Sequence, residues 1–322
     1  MLSRIAESLY WIGRYVERAE DTARVLDVHV HHLLEAPTAD VSSTCRVLLD
    51  SMGTDTPEGP LDARRVSEVL ALEAANPSSI VSSLAAARNN ARGVSEAISS
   101  EMWEALNATY IALPSQVGMA RRGGLYAFFR FVRERSAVVA GLTDQTMGRD
   151  DAWRFLVLGR SLERTDMLAR LIATGLSAAD AGDVDWVVLL RSCSAHAAFL
   201  RTYSREPDPL LAAEFLVLDR LFPRSVLCAL GVAEQCLAEL DPKPSRSGPH
   251  DEARRRLGLV RAGLEFRSIE DLIADLPERL RSVQEGCSTA NAAIAARFFR
   301  HPGPIEWMPE GTGLAATVGT AP

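Results

Sequence analysis

Residues 12–26 read IGRYVERAEDTARVL, and residues 158–172 read LGRSLERTDMLARLI. Set against each other at an offset of 146, the two segments share Gly, Arg, Glu, Arg, Ala and Arg at six of fifteen positions, and five more positions exchange similar residues. Apolar residues recur every three or four positions in both segments, which is typical of one face of an amphipathic helix. The pattern predicts two equivalent long helices produced by internal duplication.

The helical periodicity continues along most of the chain. Helical stripes cover about 61–73, 78–110, 124–143, 150–179, 184–204, 211–241, 250–274 and 276–300, with turn-forming stretches at 36–44, 53–60, 178–183 and 241–250. No stretch alternates apolar and polar residues over the length of a strand. We therefore predict an all-α helical bundle built from a duplicated unit, as one domain over 1–300 with halves of about 1–145 and 146–300, followed by a flexible tail over 301–322.

Weaker matches extend the duplication beyond the long helices. Residues 46–51 (RVLLDS) can be set against 187–192 (VVLLRS), and residues 91–98 (ARGVSEAI) against 223–230 (PRSVLCAL). We expect the first pair to begin the helix that follows each long helix. We expect the second pair to occupy equivalent places in the two halves.

Composition and charge exclude several classes of protein. The 322 residues carry a net charge of −7, whereas a general nucleic-acid surface needs an excess of basic residues. The only lysine, Lys243, lies in a linker-like segment, so neither a P-loop nor a Schiff-base lysine is expected. The five cysteines lack the paired spacing of a zinc site. We predict no metal ion and no other cofactor.

The sequence predicts neither a secretory signal nor a membrane span. No apolar run approaches the roughly 20 residues that a membrane-spanning helix needs. The N-terminus opens directly on a charged amphipathic pattern rather than on a secretory signal. The sequence therefore predicts a cytoplasmic protein with reduced cysteines and no membrane contact.

Charged residues follow the duplication. They are Arg14, Glu17, Arg18, Glu20 and Arg24 in the first copy, and Arg160, Glu163, Arg164, Asp166 and Arg170 in the second. One interpretation is a solvated face of local pairs, in which Glu20 pairs with Arg24 and Glu17 reaches an arginine of its own helix.

Gly13, which recurs as Gly159, favours a second interpretation of these charges. Glycine inside a helix costs ~1 kcal/mol relative to alanine, so its recurrence indicates close approach by another backbone or by a ligand. An inward-facing network of arginine and glutamate is therefore the favoured interpretation, and it requires full pairing to offset desolvation.

Four segments together resemble the bacterial alpha-E domain family: residues 2–28, 87–107, 155–172 and 214–230. The resemblance covers about residues 1–300 and implies an all-helical fold. It also implies association with circularly permuted ATP-grasp proteins, which are encoded with or fused to such domains, and a part in making or modifying a peptide or amide-linked product.

The resemblance marks further residues outside the two long helices: Arg88, Asn89, Asn90, Arg92, Glu101, Trp103, Glu104, Asn107, Asp219, Pro223 and Arg224. Adjacent asparagines are poor helix formers, so side-chain hydrogen bonding explains them better than helix propensity does. Ordinary bonding between helices remains the alternative to a binding site. Asp219 is within reach of Arg220 or Arg224.

Two other patterns suggest chemistry less specifically. His29, His32 and Glu35 have ligand-like spacing, although a histidine cluster near a helix end is usually a partly exposed surface. Cys193 and His196 share a helix face and could pair as nucleophile and base, but core packing also explains them.

We predict a helical partner of an ATP-grasp ligase in peptide or amide bond formation, which binds the acceptor peptide or the ligase through its paired Arg/Glu helices. A different hypothesis makes the chain an enzyme with Glu17 or Glu163 as general base in an arginine-lined pocket. A third is a structural oligomerisation module. Convergence of these carboxylates on a concave pocket would favour binding or catalysis over structure.

Overall fold

Two long helices, α1 (Ser3–Glu35) and α7 (Asp151–Ala178), pack against each other at the centre of the molecule. The computed structural model describes residues 1–35, 41–178, 184–242, 246 and 248–299, so the predicted tail lies outside the described residues. Within those ranges the chain is helical and contains no strand, which confirms the all-α prediction. None of the described helices combines the length and the apolarity that crossing a membrane requires.

Shorter helices surround this central pair. In the first half they are α2 (Val41–Ser51), α3 (Ala63–Ser67), α4 (Ile80–Arg92), α5 (Ser100–Met119) and α6 (Leu125–Thr146). In the second half they are α8 (Trp186–Ser192), α9 (His196–Tyr203), α10 (Pro209–Leu218), α11 (Val226–Leu240), α12 (Glu252–Glu265), α13 (Ile269–Ala274) and α14 (Leu276–Phe298). A single π-helical turn follows α3 and another follows α5.

Several predicted helical stripes are divided by local breaks. The stripe over 78–110 forms α4 and α5, and the hydroxyl of Ser99 accepts a hydrogen bond from the backbone N–H of Met102 to start α5. Ser194, with φ of 53°, separates α8 from α9. Conversely, the structure has a helix where a turn was predicted, because α2 begins at Val41. Periodicity located the helices well but not their ends.

The packing of the first half is repeated in the second. Helices α4 and α6 pack on α1, and their counterparts α11 and α14 pack on α7. Helix α5 packs against α4 and α6 in the same way that α12 packs against α11 and α14. Helix α2 packs on α7 of the other half, and α8 packs on α1. The two halves are thus related by an approximate twofold arrangement around the α1–α7 contact.

One predicted correspondence between the halves is wrong. The structure places residues 77–84, not 91–98, in the position equivalent to 223–230. Ser79 caps the start of α4 by accepting from the N–H of Ser82, and Ser225 caps α11 by accepting from the N–H of Cys228. These positions differ by 146, which is also the offset of the long helices. The alignment of 91–98 with 223–230 rests on a few chance identities and does not pair the two caps.

The apolar stripe of α1 forms much of the core. Leu9, Ile12, Ala19 and Ala23 are fully buried, and Leu26 is 1% exposed. Burial of such side chains stabilises the fold by about 1.5–3 kcal/mol for each large one. This core also contains charged groups from α1 and α7, which define the candidate site.

Candidate functional site

The two long helices cross at their glycines. A Cβ atom on Gly13 would lie 2.0 Å from the carbonyl oxygen of Leu156, and one on Gly159 would lie 2.0 Å from the carbonyl oxygen of Tyr10. These contacts are reciprocal, because Tyr10 and Leu156 are themselves related by the offset of 146. The close backbone approach inferred from the repeated glycine is confirmed.

One turn beyond the crossing, the helices exchange ion pairs. Arg18 Nε donates to Glu163 Oε1 at 2.5 Å, and Arg164 Nε donates to Glu17 Oε1 at 2.6 Å. Each arginine also donates from NH2 to the second carboxylate oxygen, at 3.2 Å and 2.9 Å. Both pairs are therefore two-pronged, the geometry for which the guanidinium group is best suited.

The network faces inward. Glu17 is 1% exposed and Glu163 is 2% exposed, so the solvated face considered from the sequence is wrong for these residues. The expected local pairing of Glu17 within α1 is also wrong, since its partners are Arg164 of α7 and Arg224. Helical periodicity could not reveal this, because the pairing depends on how the two helices cross.

Both glutamates are held ionised. Burial acts to raise the pKa of Glu17, but the charges of Arg164 and Arg224 outweigh it and lower the pKa to about 2. Burial opposes ionisation of Glu163 in the same way, and Arg14 and Arg18 lower its pKa. A general base works best with a pKa near the operating pH and a free oxygen. Neither glutamate meets that requirement.

The two halves of the network differ at Arg14 and its counterpart Arg160. Arg14 donates to Glu163 Oε2 at 2.5 Å and to Asn291 at 2.9 Å. Its counterpart Arg160 makes no such contact with Glu17, and its Nε is buried without a hydrogen-bond partner. The second arginine partner of Glu17 is Arg224, which comes from the turn before α11, and its Nη1 lies 3.3 Å from Glu17 Oε1.

We call the surroundings of Arg224 the closed site: Glu17, Glu20, Asp21, Arg24, Arg164, Ser194 and Arg224. Arg224 is 2.7 Å from Glu20 Oε1 and 2.5 Å from Asp21 Oδ1, so its guanidinium group is surrounded by carboxylates. Arg24 donates to Glu20 and to the hydroxyl of Ser194. The cavity that borders Asp21 and Arg224 is about 10 Å³, roughly enough for one water molecule.

Asp21 has the most unusual ionisation in the closed site. Burial and the charges of Glu17 and Glu20 act together against its charged form, and its Oδ2 atom has no hydrogen-bond partner. They outweigh the attraction of Arg224 and raise the pKa of Asp21 to about 7. Such a pKa suits proton transfer, but the filled surroundings leave no space for a substrate.

The equivalent region of the other half contains a cavity of about 170 Å³, which we call the open site. Its lining residues are Arg14, Arg18, Thr22, Met52, Gly53, Ser78, Glu163, Asp166, Met167 and Arg170. Arg170 NH2 donates to Asp166 Oδ2 at 2.6 Å, repeating the Arg24–Glu20 pair. Burial raises the pKa of Asp166 despite this contact.

The other residues predicted from the resemblance lie elsewhere. Arg88 Nε donates to Asn107 Oδ1 at 3.1 Å, and its guanidinium group lies over the ring of Trp103. Asn89 accepts from Arg88, and Asn90 donates to the carbonyl oxygen of Ala86. Helix α4 contains Arg88, Asn89, Asn90 and Arg92, and helix α5 contains Glu101, Trp103, Glu104 and Asn107. None of them lines the open site.

Asp219 does not pair with an arginine as expected. Its carboxylate accepts from the backbone N–H groups of Leu221 and Phe222, which stabilises the turn before α11. Arg220 pairs with Glu265 instead. The turn containing Pro223 thus delivers Arg224 to the closed site.

The two weaker chemical patterns gain no support from the geometry. Within the described ranges, no group of three His, Cys, Asp or Glu side chains is arranged to hold a metal ion. Burial lowers the pKa of His29 to about 4. Burial also raises the pKa of the Cys193 thiol to about 12, the reverse of what an activated nucleophile requires.

Sequence reasoning missed several residues of the network. Asp21 and Ser194 belong to the closed site, and Tyr10 donates to Asn291, which also accepts from Arg14. The available signal was the offset of 146, which sets Ser78 opposite Arg224 and Met167 opposite Asp21.

A wider concavity of about 400 Å³ lies beside Arg121 and Glu68. Its ion pair is exposed to solvent, unlike those of the network.

Comparisons with known proteins agree with this geometry. The family model Alpha-E, described as a predicted alpha-helical domain with a conserved ER motif, matches residues 1–299. Glu-Arg dipeptides stand in this chain at 17–18 and 163–164, where each glutamate binds the arginine of the other dipeptide.

The similar curated proteins are longer than this chain. Uncharacterised proteins of Mycobacterium bovis and Mycobacterium tuberculosis are 24% identical to it over 341 aligned positions, covering 95% of this chain. The chain spans 38% of the length of these relatives. No solved structure matches it.

Proposed function

The chain belongs to the Alpha-E family of helical domains, and we propose that it is the accessory helical partner of an ATP-grasp ligase in forming or modifying a peptide or amide bond. The observation that carries the proposal is the open site, a polar cavity walled by Arg14, Arg18 and Arg170. A cavity of this kind can bind a polar group of a substrate. Its glutamate is already fully engaged by arginines, so the site is better suited to binding than to proton transfer.

The relatives are consistent with a partnered domain. Those proteins extend well beyond the part that this chain matches, so in them an equivalent helical domain is joined to further sequence. The ATP-grasp partner itself is inferred from the family resemblance in the four sequence segments. The proposal places the protein in the cytoplasm, where a ligase has access to ATP.

Catalysis by Glu17 or Glu163 is the weaker alternative. Both carboxylates carry two arginine partners, and a proton acceptor in that state would first have to lose at least one of them. Asp21 has the suitable pKa but lies in the closed site, where the free space is about 10 Å³. A purely structural module would not need the open site.

Co-expression with the ATP-grasp protein tests the proposal. We expect the two proteins to co-purify and the chain to increase ADP release by the ligase in the presence of its acceptor. Glu163→Gln should lower the stimulated rate while far-UV circular dichroism shows unchanged helix content. The control Glu278→Gln alters an exposed carboxylate of α14 and should keep the stimulated rate. Unchanged ADP release together with the absence of a complex would refute the proposal.

A further inference from the structure

Because the fold is duplicated, the closed site can be compared directly with the open site. In the closed site, a guanidinium group from Arg224 fills the space beside the α1–α7 ion pairs. The equivalent position of the first half is Ser78, whose side chain is too short to fill it. One site is therefore filled by the chain itself, while the other leaves about 170 Å³ beside the same kind of ion pair.

Two more differences distinguish the halves. Met167 stands where the other half has the carboxylate of Asp21, and Gly53 stands where the second half has Ser194, in the register that sets 46–51 against 187–192. Gly53 and Ser194 have similar backbone conformations, with φ of 62° and 53°, which supports their equivalence. Ser194 accepts from Arg24 in the closed site, whereas glycine offers no side-chain acceptor to Arg170.

The open site has too few free carboxylates to bind another guanidinium group. The guanidinium group of Arg224 is held by three carboxylates in the closed site. The open site has only Glu163 and Asp166, and both oxygens of Glu163 already accept from Arg14 and Arg18. Three arginines against two carboxylates give the cavity wall a formal charge of +1.

The site has unused donors. Nε of Arg170 is buried and has no hydrogen-bond partner, although a buried donor without a partner is costly. The hydroxyl of Ser78 also lines the cavity, as does Thr22, whose hydroxyl donates to Met52 Sδ. Ser78 immediately precedes Ser79, the cap of the 13-residue helix α4, so the positive end of that helix lies beside the cavity.

We propose that the open site binds the carboxylate group of a peptide, through Arg170 together with Arg14 and Arg18. The bound group accepts hydrogen bonds from guanidinium N–H groups and occupies the place that Arg224 fills in the closed site. Identification of the carboxylate with that of an acceptor peptide rests on the proposed function. The carboxylate comes either from the C-terminus of the peptide or from an acidic side chain.

Isothermal titration calorimetry with the full chain and four probes tests this site. The probes are N-acetyl-Ala-Ala with a free C-terminus, N-acetyl-Ala-Ala-amide, N-acetyl-Ala-Glu-amide and inorganic phosphate. We expect binding of at least one carboxylate peptide and at least tenfold weaker binding of N-acetyl-Ala-Ala-amide, because a hydrogen bond to a charged group contributes about a factor of ten or more. The tighter carboxylate peptide identifies the source of the group.

Two variants connect the binding to the open site. Ser78→Phe fills the cavity with an uncharged ring and should weaken carboxylate binding at least tenfold. Arg170→Gln removes the unpartnered donor and should do the same. The matched controls are Ser100→Phe, at the exposed first residue of α5, and Arg281→Gln, in an exposed pair of α14. Both controls should bind as the parent does, and circular dichroism verifies that each variant is folded.

The outcomes separate this site from the proposed function. Equal binding of the amide, binding of phosphate alone, or no binding of either carboxylate peptide would overturn the carboxylate site. Carboxylate binding that Ser78→Phe and Arg170→Gln leave unchanged would overturn its location. Carboxylate binding by the chain without any stimulation of the ligase would refute the proposed function and leave the site established.

Discussion

Replacing Gly13 by alanine would place a methyl carbon 2.0 Å from the carbonyl oxygen of Leu156, whereas ordinary contact begins at 3.4 Å. The obstacle is backbone, so α1 and α7 must separate by about 1 Å or more at their crossing. Overpacking of a core costs about 1–3 kcal/mol, and the separation also stretches the buried ion pairs one turn away. Alanine returns about 1 kcal/mol of helix propensity. Overpacking less helix propensity leaves about 0–2 kcal/mol, and weakening of a buried ion pair, which costs about 3–5 kcal/mol when broken completely, adds to it. We expect a net loss of about 2–4 kcal/mol in the free energy of unfolding.

Urea denaturation followed by far-UV circular dichroism measures this loss. Gly141→Ala is the matched control, because Gly141 also lies inside a helix, α6, but has no atom within 4 Å of the added Cβ. That variant should gain about 0.5–1 kcal/mol. If Gly13→Ala is as stable as Gly141→Ala, the helices do not cross at Gly13 and the ion-pair geometry derived from that crossing fails.

Three further predictions concern the charged and thiol groups. Glu17→Gln leaves Arg164 without its charged partner and removes one of the three carboxylates around Arg224, so it should destabilise the chain by about 3–5 kcal/mol in the same urea assay. A loss below about 1 kcal/mol, typical of surface pairs, would contradict burial of the network. The pKa of Asp21 is raised from 3.8 to about 7 by folding, so stability should fall as pH rises between about 4 and 7, and Asp21→Asn should reduce this fall; an unchanged pH profile of the thermal midpoint would contradict the raised pKa. Burial raises the pKa of Cys193 to about 12, so iodoacetamide at neutral pH should modify this residue only after unfolding, as peptide mass spectrometry can show; rapid labelling of the folded chain would contradict its burial.

The duplicated segment predicted the centre of the fold. The six identities between 12–26 and 158–172 anticipated two equivalent helices, and Gly13 anticipated their close contact. Both features are local in the sequence and strongly constrained, because only glycine allows backbones to approach so closely.

The partners of the charged residues could not be predicted in the same way. Glu17 has arginines of its own helix within reach, yet it binds Arg164 and Arg224. The choice is made by the crossing of α1 and α7, which removes Glu17 from water and leaves only arginines of the other half beside it. Local spacing rules describe an isolated helix, whereas α1 packs against α4, α6 and α7.

The difference between the two sites was hidden by an error of register. Once Ser79 and Ser225 are recognised as equivalent helix caps, Ser78 falls opposite Arg224 and the missing guanidinium group becomes visible in the sequence. That alignment has three identities, Pro77, Ser79 and Leu84 with Pro223, Ser225 and Leu230, and the alignment of 91–98 also has three, so the caps had to be seen in the structure. The opening itself also depends on Gly53, which the sequence did not single out.

The most direct measurement is a titration of the ¹⁵N-labelled chain with N-acetyl-Ala-Ala, followed through the side-chain Nε–H resonances of its arginines. Arg170→Gln and Arg164→Gln assign one signal from the open site and one from the closed site. The account predicts that the Arg170 signal shifts with saturation while the Arg164 signal stays in place. An unmoved Arg170 signal, or equal shifts of both, would show that the two halves do not differ in the way described.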